Sequence, residues 1–161
     1  MHITPFTQTP HATAELVDLI NYCQNTEAHL DIRMAEQDDI FQVDQYYRQS
    51  GGEFWVALDE GHIVGSIALL PVSKSTAVLK KFFTYPKYRG RPVHLGSDLY
   101  AKFIEIARNN FERVVLDTPE AEHRSHSFYE RQGFVQIPFE ELNVHYEFPN
   151  RASRFYELSL R

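Results

Sequence analysis

A change of hydrophobic period at Phe54 constrains this chain more than any other feature. Upstream of it, apolar residues recur at helical spacing. From Phe54 to Tyr85 they fall into three strand-length runs parted by short turns. Neither pattern buries its apolar face alone, so the helices must pack against a sheet. Phe54 to Leu58 and Ile63 to Val72 flank Asp59-Glu60-Gly61, which predicts a hairpin, and Ala77 to Tyr85 follows Ser73-Lys74-Ser75 as a third strand.

Elsewhere the pattern is mostly helical. His2 to Phe6 reads as a short strand. Thr9 and Pro10 supply a capping hydroxyl and a proline for the first turn of a helix bearing Leu16, Ile20 and Cys23. A polar stretch, Asn25 to Asp39, leads to a shorter predicted helix with Ile40, Val43 and Tyr47 that stops at Ser50-Gly51-Gly52. Leu95, Leu99, Phe103 and Ile106 form the stripe of a helix ending near Asn110. The apolar run Val114 to Asp117 fits a buried parallel strand. Ala121 to Gln132 predicts another helix, with Gly133 where a left-handed cap is usual. Phe134 to Ile137 and Arg154 to Leu160 complete the strands, joined by an aromatic and acidic loop, Phe139 to Ser153. The expected fold class is α/β, a mixed sheet with helices on its faces, and 161 residues suit one domain over 1–161.

Charge and cysteine usage narrow the function. A net charge of -6 argues against a nucleic-acid surface, which needs clustered Lys and Arg. No stretch approaches the ~20 apolar residues of a membrane span, so no membrane partner is expected. The single cysteine, Cys23, excludes an intramolecular disulfide and reads as a buried structural thiol. A soluble, cytoplasmic protein is the resulting expectation, with a homodimer left open. His94, His123, His126 and His145 lack a convincing metal spacing, so no metal is expected. No Ser lies in a Gly-x-Ser-x-Gly elbow, which leaves a Ser-His-Asp hydrolase unsupported.

Two segments carry the chemistry. Tyr85-Pro86-Lys87-Tyr88-Arg89-Gly90-Arg91 joins a strand to a helix that opens at Gly96-Ser97-Asp98-Leu99-Tyr100, and Ser127-Phe128-Tyr129-Glu130-Arg131-Gln132-Gly133-Phe134 follows the buried strand. Here the sequence resembles the GNAT N-acetyltransferase family, over about Glu53 to Ile137. That family carries Arg-Gly-x-Gly-x-Gly before a helix whose N-terminus receives a pyrophosphate, where unpaired N–H groups and the helix dipole favour an anion. Arg91-Pro92-Val93-His94-Leu95-Gly96 is the preferred register, with Arg89-Gly90 in a longer loop. Pro92 and His94 stand where the family has glycines, and His94 can offer a side-chain donor instead.

The resemblance implies a GNAT-like, mostly antiparallel sheet with splayed parallel strands, and acetyl-CoA as co-substrate. It places the pantetheine against the backbone of Phe82, Phe83 and Thr84, and the pyrophosphate near Arg89, Gly90, Arg91, Val93, His94, Leu95, Gly96 and Ser97. The cofactor arm would pass Glu122, Ser127 and Phe128. Glu122 stands where the family often has Asn, and an ionised carboxylate cannot donate a hydrogen bond. Tyr129 aligns with a tyrosine that in many members protonates the leaving thiolate. Taken alone, it also suits a packed helical aromatic.

The implied activity is acetyl transfer to an amine acceptor. The third strand holds no carboxylate, Val78 standing near the place of the family's usual base, so two alternatives stay open: a base from elsewhere, with Glu36, Glu53 and Glu141 as the candidates, or deprotonation in solvent. Acidic residues Glu36, Asp38, Asp39, Glu140 and Glu141 are expected to draw a cationic acceptor. A non-catalytic acyl-CoA-binding regulatory module is the competing reading.

Overall fold

The computed structural model describes residues 1–149 and 151–161. Residue 150, inside the loop expected from Phe139 to Ser153, lies outside the described residues. The strands are β1 (His2–Pro5), β2 (Glu53–Asp59), β3 (His62–Pro71), β4 (Thr76–Thr84), β5 (Arg113–Pro119), β6 (Val135–Ile137) and β7 (Ser153–Ser159). The α-helices are α1 (Pro10–Asn21), α2 (Leu95–Asn110) and α3 (His123–Arg131). The strands form one sheet in the order β1-β2-β3-β4-β5-β7-β6. Every pairing is antiparallel except β4 with β5, as the apolar run at Val114 implied. That parallel ladder joins only Thr76 to Arg113, Ala77 to Val114 and Val78 to Val115. Beyond those pairs the two strands part, leaving backbone groups on their facing edges without ladder partners.

Helices cover both faces. On one, α2 and α3 bury Leu99, Phe103 and Tyr129 over Ile67, Leu79, Leu116 and Tyr156. Gly65 allows the close approach of α2, since a Cβ there would sit 2.9 Å from the side chains of both Leu95 and Leu99. On the other face α1 buries Leu16, Leu19 and Ile20 against Phe54, Val56 and Ala68. Its start is the expected one, with the Thr9 hydroxyl accepting from the Ala12 N–H at 3.1 Å. Gly133 ends α3 in the left-handed region at φ 99°.

The regular helix expected through Ile40, Val43 and Tyr47 is replaced by a 3₁₀ turn, Asp38–Phe41, and a π-helical turn, Asp44–Arg48. The three apolar residues are still fully packed. Side-chain demands bend the backbone between them: the Tyr47 hydroxyl donates to Asp39 at 2.5 Å, and Arg48 donates to Asp44, Glu53 and the Phe6 carbonyl. After α1 the chain continues as a π-helical turn, Tyr22–Glu27, which carries Cys23 inward. The third helix starts at His123 rather than Ala121, and Tyr85 falls just outside β4. No helix among the described residues is long and apolar enough to cross a membrane.

Candidate functional site

Where β4 and β5 part, a cavity of about 430 Å³ opens between them. Several elements supply its walls. β4 contributes Leu79 to Thr84, and the end of β5 contributes Asp117, Thr118 and Pro119. The start of α2 adds Gly96 and Ser97, α3 adds Ser125, Phe128 and Tyr129, and the turn after α1 adds Cys23, Gln24 and Glu27. Arg89, Gly90 and His94 close the end beside α2.

The first N–H groups of an α-helix lack partners within it, and at Gly96 and Ser97 this part of α2 meets the cavity. His94, which precedes α2, has φ 52° and ψ 42°. That left-handed conformation costs an L-residue about 1–2 kcal/mol, and it explains why a glycine belongs at this position of the loop. Gly90 is also left-handed, at φ 63°, with open space where a Cβ would stand.

Arg89 turns inward. Its guanidinium donates to both oxygens of Glu27, at 2.7 and 2.8 Å, and to the Thr84 carbonyl at 2.5 Å. This pair holds the Glu27 carboxyl below its usual range against the opposing effect of burial. Arg91 points to solvent.

The floor is aromatic. Phe82 meets Phe128 edge-on with centroids 5.5 Å apart, and Tyr129 lies 5.6 Å from Phe134 and 6.1 Å from Tyr156. Tyr129 is 7% exposed and reaches the cavity. Burial pushes its phenol well above the ordinary range, with Asp117 and Tyr100 adding to the effect and Arg151 opposing it. The hydroxyl therefore stays protonated at neutral pH. Asp117 is itself held by Tyr146 at 3.0 Å and by Arg151 at 2.8 Å.

Of the residues singled out in the sequence, Phe82, Phe83, Thr84, Arg89, Gly90, His94, Gly96, Ser97, Glu122, Phe128 and Tyr129 line this cavity. Arg91, Val93, Leu95 and Ser127 do not. Leu95 is in the core beneath β3, Val93 packs on the same cluster, and Ser127 is exposed on α3. Among the candidate bases, Glu53 is tied to Arg48, Glu141 is exposed, and Glu36 lines a second cavity of about 230 Å³. Asp38 and Asp39 line that second cavity too, while Glu140 and Glu141 stay outside it.

Lys80, Lys81 and Pro149 line both cavities. Lys81 was not singled out in the sequence. It occupies a bulge in β4: Ser66 pairs with Phe83 and Ala68 with Lys80, so Lys81 and Phe82 face the single residue Ile67. Lys81 has φ 53°, and its carbonyl accepts from the Ser66 hydroxyl at 2.7 Å. Its side chain enters the interior, donating to Gln37 at 2.6 Å with Asp39 at 3.6 Å. Burial lowers its pKa to about 8, against the pull of Asp39.

The sequence and the fold both have known relatives. The Acetyltransferase (GNAT) family matches residues 16–134. An acetyltransferase from Streptococcus agalactiae 2603 superposes with a TM-score of 0.95 and is 59% identical, over 98% of this chain and 97% of that one. A GNAT acetyltransferase from Staphylococcus aureus Mu50 gives 0.87 and 27%, over 99% of each. N-acetylaspartate synthetase of Xenopus tropicalis is 30% identical over 116 residues, which are 70% of this chain and 42% of that protein. The chain spans about two fifths of the length of the curated N-acetylaspartate synthetases it matches. The chain belongs to the GNAT acetyltransferase family.

Proposed function

We propose that this chain transfers the acetyl group of acetyl-CoA directly to the amine of a small acceptor. The observation that carries the reading is the cleft between β4 and β5, with an α-helix N-terminus at one end and a buried phenol on its wall. When bound, acetyl-CoA supplies an activated acyl group and a thiolate leaving group. The backbone of Phe82 to Thr84 lies on the parted edge of β4, where pantetheine amides can pair as an added strand. Gly90, His94, Gly96 and Ser97 would receive the pyrophosphate, with small residues and helix N–H groups facing it. Tyr129, kept protonated by burial and lining the same cavity, would give its proton to the departing thiolate.

The second cavity suits the acceptor. Glu36, Asp38, Asp39 and Glu147 outnumber Lys80 and Lys81 around it, which favours an ammonium over an anion. A cytoplasmic setting agrees with a reduced, buried Cys23. The test is thiol release from acetyl-CoA across a panel of amines, alcohols and amino acids, with aspartate included because one relative is named for N-acetylaspartate. Amine-dependent CoA release is expected. No release with any amine, while acetyl-CoA still raises the melting temperature, would leave only a binding module.

A further inference from the structure

Three carboxylates line the larger cavity, Glu27, Asp117 and Glu122. Glu27 is held by Arg89, Asp117 by Tyr146 and Arg151, and Glu122 lies 3.8 Å from Arg124, so each has a cationic or hydroxyl partner to surrender before it takes up a proton. At the junction of the two cavities stands an amine instead. Lys81 enters there because the β4 bulge turns its side chain away from the alternation of the strand. Its side chain is 5% exposed, and it joins a buried chain of polar groups. Gln24 and Gln37 exchange amide hydrogen bonds at 3.1 and 2.8 Å, Gln37 accepts from Lys81, and Asp39 lies between Lys81 and Tyr47.

We propose that Lys81 is the proton acceptor for the acceptor amine, which approaches from the smaller cavity toward the parted edge of β4. This rests on the acetyl-transfer reading above. The acceptor ammonium gives a proton to the neutral Lys81 amine, which becomes an ammonium facing Asp39. The freed amine forms a C–N bond with the acetyl carbonyl as the C–S bond breaks. The proton shed by the new amide nitrogen ends on the CoA sulfur, relayed through the Tyr129 hydroxyl. Lys81 returns its proton to solvent, so the net products are amide, CoA thiol and one proton.

Several groups set the titration of Lys81. Asp39 and, farther off, Asp117 favour its charged form, while burial and Lys80 oppose it. Across the smaller cavity stand Glu36, Asp38, His145 and Glu147, with the phenols of Tyr46 and Tyr146; Tyr47 reaches Asp39 from behind. Burial is the largest effect and leaves the amine near 8. The neutral form the step requires is therefore gained as pH rises through about 8.

The test uses two primary amines with the same two-carbon skeleton and different basicity. Ethylamine is protonated at neutral pH, whereas 2,2,2-trifluoroethylamine is not and needs no base before attack. Lys81→Met removes the amine, and Lys81→Arg keeps a charge that does not dissociate. Both variants should lose about 10²-fold or more in single-turnover transfer to ethylamine and keep transfer to trifluoroethylamine near the wild-type rate. Two readouts are independent of activity: the rise in melting temperature with acetyl-CoA, which should persist in at least the arginine variant, and the ¹³Cε resonance of Lys81 in lysine-labelled protein. That resonance should titrate near 8 and move lower in Asp39→Asn. Equal losses with both amines, or titration at the ordinary lysine value of about 10.4, would overturn the role of Lys81 alone. No transfer by the wild type to any amine would overturn both this role and acetyl transfer.

Discussion

Arg89 grips Glu27 with two nitrogens, Nη1 to Oε2 at 2.7 Å and Nη2 to Oε1 at 2.8 Å, and so ties the loop after β4 to the turn after α1. The same guanidinium donates to the Thr84 carbonyl. These are charge-assisted bonds in a half-buried setting, and through them Arg89 closes one end of the cavity. Arg91 is exposed beside it.

Arg89→Ala should therefore act mainly on stability, leaving Glu27 and the Thr84 carbonyl short of partners at about 1–3 kcal/mol, or several degrees of melting temperature. Arg91→Ala should leave stability unchanged and weaken the acetyl-CoA-induced rise in melting temperature more. The acid limb adds a check. Glu27 has a lowered folded pKa, so its contribution is full above its unfolded value and fades as pH falls through the folded one. That loss at low pH should shrink in Arg89→Ala. A reversed ranking of the two arginines on acetyl-CoA binding would put the phosphate register at Arg89.

His94 supplies a second test of the loop. Its left-handed backbone favours glycine, so His94→Gly relieves strain while loosening the unfolded chain, and stability should change by less than about 1 kcal/mol. The same change removes the ring we propose as a donor to the pyrophosphate. Acetyl-CoA affinity should fall several-fold, and pantetheine derivatives lacking the pyrophosphate should bind equally well to both proteins. Equal acetyl-CoA affinity in a titration would limit His94 to a backbone role.

Cys23 lines the cavity yet should be inert. Burial raises its thiol to about 11, with Arg89 opposing the shift, so little thiolate exists at neutral pH. Native protein should react with iodoacetamide far more slowly than guanidinium-unfolded protein. Rapid alkylation of the folded form would show that the turn Tyr22–Glu27 opens readily.

Much of this was legible in the sequence because it rests on period and on turn residues. The hairpin at Asp59-Glu60-Gly61, the buried run at Val114 and the cap at Gly133 are each set by local chemistry, and the structure carries all three. The neighbourhood of Lys81 was not legible. Leu79-Lys80-Lys81-Phe82-Phe83 shows two lysines in a row, and strict alternation cannot say that a bulge will turn the second into the interior. Its partners Gln37 and Asp39 lie over forty residues upstream, in a stretch whose polarity reads as a solvated loop. The broken helix at Ile40 to Tyr47 has the same origin. Apolar spacing placed its buried face correctly, while the pull of Asp39 toward Tyr47 and Lys81, a tertiary demand, decided its backbone.

Tyr129 carries the sharpest prediction for the chemistry. Tyr129→Phe keeps the ring that packs against Phe134 and Tyr156 and removes only the hydroxyl. Stability should hold, because the packing face is intact, and acetyl-CoA affinity should stay similar. Turnover should fall, since a general acid contributes about 10²–10⁴-fold. The lower end is expected, because CoA thiolate is already a fair leaving group and water can partly replace the phenol at a cavity wall. The pH profile separates this role from that of Lys81. The phenol is pushed well above the ordinary range and stays protonated across the working range, so its loss should lower the rate without moving the midpoint of the profile. Single-turnover rates are the measurement to make, because slow product release would mask a chemical defect in kcat. An unchanged single-turnover rate in Tyr129→Phe would reduce Tyr129 to a packing aromatic and leave protonation of the thiolate to solvent.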